Sequence, residues 1–276
     1  MQISNITLSN NTEIPSIGLG TWQLTGPECL HAIKTALKIG YRHIDTAEMY
    51  MNESEIGQVI RESTIPRDQL FITSKAWQNN LNFERVIKAC EISLKRLKTD
   101  YLDLYLIHWP DKYLNMKEIL RGFKQLYDQK KIKAFGVSNF TINHLKDVIP
   151  ICKELDLPIS VNQVEFHPLL YQKELLDFCK ENNITITAYS PLATGKIVKD
   201  ETIKELAIKH DKTPSQISLR WLLSKGIVVI PKASSDIHLQ QNIDIDFTLD
   251  QEDIERIDNI KHQERMINPG FSEFDY

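Results

Sequence analysis

Tyr101-Leu102-Asp103-Leu104-Tyr105-Leu106-Ile107-His108 is a short, mostly apolar run of strand-like composition that ends on an imidazole. Two earlier runs have the same form. Tyr41-Arg42-His43-Ile44 stops at Asp45, with Tyr50 a few residues further on, and Leu70-Phe71-Ile72-Thr73-Ser74 stops at Lys75. β-Branched and aromatic side chains suit a pleated, buried surface, so each run reads as a strand. As neighbouring parallel strands they bring their carboxyl ends to one place. A carboxylate, a phenol, an ammonium and an imidazole then meet, and together they make a site for moving a proton.

Working outward, similar runs recur near residues 17, 41, 70, 101, 132, 158, 184 and 227, with helix-period segments between them. From Asn82 to Leu97, the residues Phe83, Val86, Ile87, Cys90, Leu94 and Leu97 fall at three- and four-residue steps, which marks one apolar helix face. Thr213-Pro214-Ser215-Gln216 opens another helix, with a capping threonine, a proline at the first position and a glutamine to close a capping box. Ile217, Trp221 and Leu222 then face the core. Strands alternating with helices imply βαβ units and a parallel sheet. Eight such units of roughly 30 residues close a (β/α)8 TIM barrel.

An open Rossmann-like or flavodoxin-like sheet competes with the barrel, but it needs fewer strands and usually a glycine-rich first turn. Gly18-Leu19-Gly20-Thr21-Trp22-Gln23 has the first two glycines of that fingerprint and Gln23 in place of the third. The residues before Ile14, with Asn10-Asn11 as turn material, read as an N-terminal β-hairpin closing the bottom of the barrel. The tail from Ile267 to Tyr276, with Pro269-Gly270 and three aromatics, reads as a segment laid over a surface, in the manner of a lid.

With 276 residues, 42% hydrophobic and 25% charged, the chain can bury one large core, so residues 1–276 read as a single domain. A net charge of -4 without a Lys/Arg block leaves no electrostatic footprint for nucleic acid or an anionic membrane. Cys29, Cys90, Cys152 and Cys179 have neither metal-site spacing nor the density of a disulfide scaffold, and are expected to be buried free thiols. There is no basic N-terminal region followed by an apolar stretch, and no apolar run long enough to span a bilayer. The expectation is a cytoplasmic protein, a monomer or weak dimer, whose partner is a small molecule and which binds no metal.

In a barrel, a polar residue just past a strand is a catalytic candidate by position. Each candidate also has a plainer reading: Asp45 as a helix cap, Lys75 as a solvated loop lysine, His108 as a core histidine bonded to backbone. As a set they carry one chemistry. A tyrosine with a pKa near 10 is a poor acid at neutral pH, and a neighbouring ammonium moves it toward the working range. Lys75 is placed to do this, with Asp45 holding the lysine, His108 directing a substrate carbonyl and Tyr50 donating the proton. A proton donor aimed at a carbonyl, with neither a metal site nor a nucleophile, points to reduction. The electrons then come from a hydride donor. Ser138-Asn139 and Gln163 follow apolar runs and suit a carboxamide, although Ser138-Asn139 also suits a turn. Tyr189 suits stacking or packing. Lys232 and Ser235, after the eighth strand, stand where barrels bind phosphate.

The chain closely resembles the aldo-keto reductase superfamily, nearly end to end. Gly40-Tyr41-Arg42-His43-Ile44-Asp45-Thr46-Ala47 with Tyr50, Leu106-Ile107-His108-Trp109-Pro110 and Gly136-Val137-Ser138-Asn139-Phe140 carry the likeness, in the family's order. It is similar to the bacterial-size branch, of 2,5-diketo-gluconate reductase or aldehyde reductase type. The resemblance implies that Asp45, Tyr50, Lys75 and His108 are the catalytic tetrad. It implies that Ser138, Asn139, Gln163 and Tyr189 hold the nicotinamide, with Gly20, Thr21 and Trp22 also on the cofactor. Ser190, Leu192, Lys232, Ser235, Gln241 and Asn242 then meet the pyrophosphate, 2′-phosphate and adenine.

The family often has an arginine where this sequence has His238, and an acid where it has Gln241. NADPH is the coenzyme implied, with NADH also usable. The segment after Asn242 is short, so the pocket is expected to be open, walled by Trp22, Trp77, Trp109 and Phe271. The activity implied is reduction of aldehydes or ketones to alcohols. A non-catalytic dinucleotide-binding barrel with a regulatory or structural role is the alternative, and an isomerase or hydrolase barrel a further one.

Two motifs lead elsewhere and are set aside. Tyr127-Asp128-Gln129-Lys130-Lys131 has the Tyr-x-x-x-Lys spacing of short-chain dehydrogenases, without the glycine-rich strand turn those enzymes need. Ala193-Thr194-Gly195-Lys196 looks like a phosphate-loop fragment, but Ser190 and Ile197 stand where the full motif needs glycine and Ser/Thr.

Overall fold

The structure, a computed structural model, describes residues 3–276. β1 (Asn5–Thr7) and β2 (Glu13–Pro15) form an antiparallel hairpin. β3 (Gly18–Gly20), β4 (His43–Asp45), β5 (Phe71–Ala76), β6 (Leu102–Ile107), β7 (Ile132–Ser138), β8 (Ile159–Glu165), β9 (Thr185–Tyr189) and β10 (Val228–Val229) lie side by side in chain order. All pair in parallel. Bridges from Ile17 to Val229 and from Gly20 to Lys232 join the two edges, so the sheet closes on itself as a (β/α)8 barrel. At this seam a Cβ on Gly20 would stand 2.5 Å from the Ile230 carbonyl oxygen, so a side chain there would force the first and last strands apart. Gly20 thus has a structural reason that a dinucleotide fingerprint does not require.

The crossovers hold α1 (Gly26–Ile39), α2 (Glu53–Glu62), α3 (Phe83–Leu97), α4 (Met116–Asp128), α5 (Ile142–Glu154) and α6 (Lys173–Glu181). Between β9 and β10 run a 3-10 segment (Ala193–Lys199), α7 (Glu201–Lys209) and α8 (Pro214–Ser224), and after β10 come α9 (Asp236–Ile243) and α10 (Gln251–Asp258). α3 begins where its pattern places it, with Asn82 accepting from the Arg85 amide and Val86, Cys90, Leu94 and Leu97 buried. α8 carries the expected capping box between Thr213 and Gln216, and Ile217, Trp221 and Leu222 are fully buried. The four cysteines are buried and free, as expected. Among the described residues no helix is long and apolar enough to cross a membrane.

Strand alternation decides what faces the barrel axis, because residues two apart share a face. Phe71, Leu104, Leu106, Ala134, Val161 and Val228 pack in one cluster with Leu8 and Ile14 of the hairpin. Asn10 Nδ2 also donates to the Lys133 carbonyl at 2.8 Å, which seats the hairpin at the amino ends of the strands. Continuing the same parity toward the carboxyl ends, Phe71 leads through Thr73 to Lys75, Leu106 to His108, Ala134 through Gly136 to Ser138, and Val161 through Gln163 to Glu165. One alternation seals the bottom with apolar side chains and arms the top with polar ones. The opposite faces, with Ile72, Tyr105, Ile107 and Val137, join the helix stripes in the main core.

Candidate active site

Asp45 is the last residue of β4, Lys75 lies inside β5 rather than past it, His108 follows β6, and Tyr50 ends a 3-10 turn over Glu48–Tyr50. Lys75 is fully buried. Its Nζ donates to Asp45 Oδ1 at 2.5 Å, to the Thr46 carbonyl at 2.9 Å and to the Tyr50 hydroxyl at 3.3 Å. A solvated loop lysine is therefore excluded. The Tyr50 ring sits 4.9 Å from Trp22 and 5.6 Å from His108, centroid to centroid, and His108 in turn meets Trp77 edge-on at 5.1 Å.

The turn that carries Tyr50 is held from both sides. Glu48 accepts from the Trp77 amide and from Asn80 Nδ2 at 2.9 Å, tying it to the segment after β5. The buried Asn52 donates to the Thr21 and Leu24 carbonyls at 2.8 and 2.9 Å and accepts from Thr46 Oγ1 at 2.7 Å. Sequence reading missed Glu48 and Asn52. Their only signal was polarity beside Tyr50, which a loop would also show.

Burial raises the Tyr50 phenol above its ordinary value, and the Lys75 charge and hydrogen bond offset only part of that rise. The expectation that Lys75 brings Tyr50 down toward neutrality is corrected here: the cation acts in the expected sense, but desolvation outweighs it. Tyr50 is a protonated phenol at neutral pH, hence a donor. Burial also works against the Lys75 charge, yet Asp45 and Tyr50 more than compensate and hold it an ammonium. Burial, helped by Lys75, holds the His108 pKa well below its usual range, so the imidazole is neutral, and its Nδ1 is buried without a partner.

One cavity of about 800 Å³ opens over these groups. At one end its walls are Trp22, Trp77, Trp109 and Phe271, with Asp45, Tyr50 and His108 beneath; Gly20 and Thr21 also line it. Ser138, Asn139, Gln163 and Tyr189 also line it, as do Ser190, Leu192, Lys232, His238, Gln241 and Asn242. Ser138, Asn139, Gln163 and Tyr189 are bonded to one another and to the tetrad. Gln163 Nε2 donates to Asp45 Oδ2 at 2.7 Å, Asn139 Nδ2 to the His108 carbonyl at 2.9 Å, Tyr189 OH to Asn139 Oδ1 at 2.7 Å, and Ser138 Oγ to the Gln163 carbonyl at 2.8 Å.

Ser235 is placed differently from the rest. Its hydroxyl caps α9 by accepting from the His238 amide at 3.3 Å, and it is not among the cavity walls. Conversely, Thr194 and Gly195, set aside as a phosphate-loop fragment, do line the cavity. They lie on a tight turn with positive φ at Ser190, Ala193, Thr194 and Gly195. The signal for this turn was Gly195 itself, since glycine suits that region and the other three do not.

A closed parallel barrel with a tyrosine, a paired lysine and a neutral histidine at its carboxyl face is the architecture of a barrel oxidoreductase with its own proton donor. The Aldo/keto reductase family matches residues 16–262, and the chain belongs to that family. It is 45% identical over 265 residues to the glyoxal reductase of Bacillus subtilis, covering 95% of this chain and 94% of that protein. An aldo-keto reductase enzyme, MGS-M4, from a Medee basin deep-sea metagenome superposes with a TM-score of 0.92 at 44% identity, over 98% of this chain and 100% of that one. The silkworm aldo-keto reductase AKR2E5, solved in complex with NADPH, also gives 0.92, at 35% identity over 98% of this chain and 91% of that one.

Proposed function

We propose that this protein reduces small aldehydes or ketones to alcohols with NADPH, using Tyr50 as the acid. The observation that carries the reading is the protonated Tyr50 hydroxyl held 3.3 Å from the Lys75 ammonium on the floor of an aromatic-walled cavity. The donor set of the cavity fits the coenzyme: amide and hydroxyl groups at Ser138, Asn139 and Gln163 for a carboxamide, the Tyr189 ring for stacking, and the Lys232 cation with His238 for phosphate. When bound there, the coenzyme supplies the hydride. His108, neutral, orients the substrate carbonyl by a hydrogen bond, and Tyr50 gives its proton to the oxygen that gains charge. Lys75, fixed by Asp45, stabilises the phenolate left behind. Gln163, bonded to Asp45, links the coenzyme's seat to the proton donor. We read residues 1–276 as one domain and the protein as a cytoplasmic monomer or weak dimer; four buried free cysteines suit a reducing compartment.

The test is Tyr50→Phe, which keeps the ring and removes the proton. NADPH binding, followed by fluorescence, should persist, while aldehyde-dependent loss of NADPH absorbance falls by roughly 10²- to 10⁴-fold, the usual range for a general acid. A variant that keeps more than about half of wild-type turnover, with chemistry rate-limiting, would remove Tyr50 from that role.

A further inference from the structure

Glu165, the last residue of β8, is completely buried, and its carboxylate is turned to the C-terminal tail. Oε1 accepts from the Met266 amide at 2.7 Å and faces His167 Nε2 at 2.9 Å. Oε2 accepts from the Ile267 amide at 3.0 Å, with Arg265 Nη1 at 3.8 Å. A buried carboxylate is costly unless hydrogen-bonded, and here backbone amides about 100 residues away along the chain supply the bonds. Directly beyond them, Ile267, Pro269 and Phe271 line the cavity, and Phe271 stands edge-on to Trp77 at 5.8 Å and to Trp109 at 5.3 Å. A second anchor lies past Phe271, where Glu273 accepts from His144 Nε2 at 2.9 Å and from the Lys112 amide at 3.1 Å. Phe271 therefore rides on a strap fixed at both ends and is itself only partly buried, at 45% exposure.

We propose that Glu165 is a positioning residue for substrate selection: by fixing where the tail begins, it sets Phe271 as the wall that favours aromatic over small aliphatic carbonyl substrates. The proposal rests on the reductase reading above. Glu165→Gln puts an amide donor where one of two backbone N–H groups must be received, so the tail start loses a partner and Phe271 loses its register. No step of the reaction passes through Glu165, so its effect belongs in KM for substrates that reach Phe271.

Reduction of benzaldehyde and of propanal with NADPH is to be measured for the wild type, Glu165→Gln, Phe271→Ala and the double variant. Glu165→Gln should raise the benzaldehyde KM about three- to tenfold, the scale of one aromatic contact, with kcat for both aldehydes and the propanal KM changing less than about twofold. Phe271→Ala should raise the benzaldehyde KM by at least as much, and the double variant should lose less than about twofold more than Phe271→Ala alone, because the two act on one contact. Hydrogen–deuterium exchange should speed up in residues 264–276 and stay unchanged in β5 to β7.

An unchanged benzaldehyde KM, an equal fall in kcat for both aldehydes, or losses that multiply in the double variant would each overturn the proposal. If the wild type reduces neither aldehyde, the reductase reading fails, and unchanged exchange in the tail would still overturn the anchor. If Glu165→Gln does not fold, Met266→Pro removes the same hydrogen bond from the tail side and must reproduce the KM split.

Discussion

Lys75 is the residue on which the site's charge rests. A buried ammonium is costly unless paired and hydrogen-bonded, and Asp45, the Thr46 carbonyl and Tyr50 take up its donors. Lys75→Met keeps the stem and removes the charge. Tyr50, already raised by burial, then rises further, because the group that offset part of that rise is gone. In alcohol oxidation, where Tyr50 must start as a phenolate, the rising limb of the pH–rate profile should therefore move to higher pH, and turnover should fall by roughly 10²-fold or more. The profile, recorded with a saturating alcohol, decides this. If neither its midpoint nor its plateau moves, Lys75 does not tune the tyrosine.

The junction between β10 and α9 lines the cavity with Lys232 before the helix and His238 on its first turn, where the proposed function puts the phosphate end of the coenzyme. A guanidinium offers a fixed charge and a two-pronged donor that an imidazole lacks. His238→Arg should tighten NADPH about five- to tenfold, a modest gain because the site is exposed, and leave NADH nearly unchanged. Dissociation constants for both coenzymes test it, and equal gains would mean that residue 238 meets the adenine rather than a 2′-phosphate. This end of the cavity also shows where sequence reading stops. The longer strands were legible because each is a dense apolar run, and Asp45, Lys75 and His108 because each lies at or near the end of one. The turn over residues 190–195 was not, since it has no amphipathic period and its one glycine resembles an unrelated motif. Glu165 was not, because its tail partners, the Met266 and Ile267 amides, reach it only in the folded chain, and nothing local marks a contact of that range.

For the whole molecule, histidines buried in the folded barrel have a consequence for stability. Burial holds His43 down to about 4 and holds His108 well below the usual range, so these side chains are neutral in the folded protein near pH 6. In the unfolded chain each returns to about 6.5 and takes up a proton as pH falls. The unfolded state thus binds more protons below that value, and stability rises with pH across the window. The contribution is complete above about 6.5 and is lost progressively as pH falls toward 4, where His43 protonates in the folded state as well. Each fully buried histidine gives a slope of up to about 1.4 kcal/mol per pH unit. Urea unfolding at pH 7, 6 and 5 should show the midpoint falling at each step, and His43→Gln should flatten the dependence by about one histidine's share. A slope that the substitution leaves untouched would mean that His43 takes up its proton in the folded barrel, and that the acid sensitivity has another source.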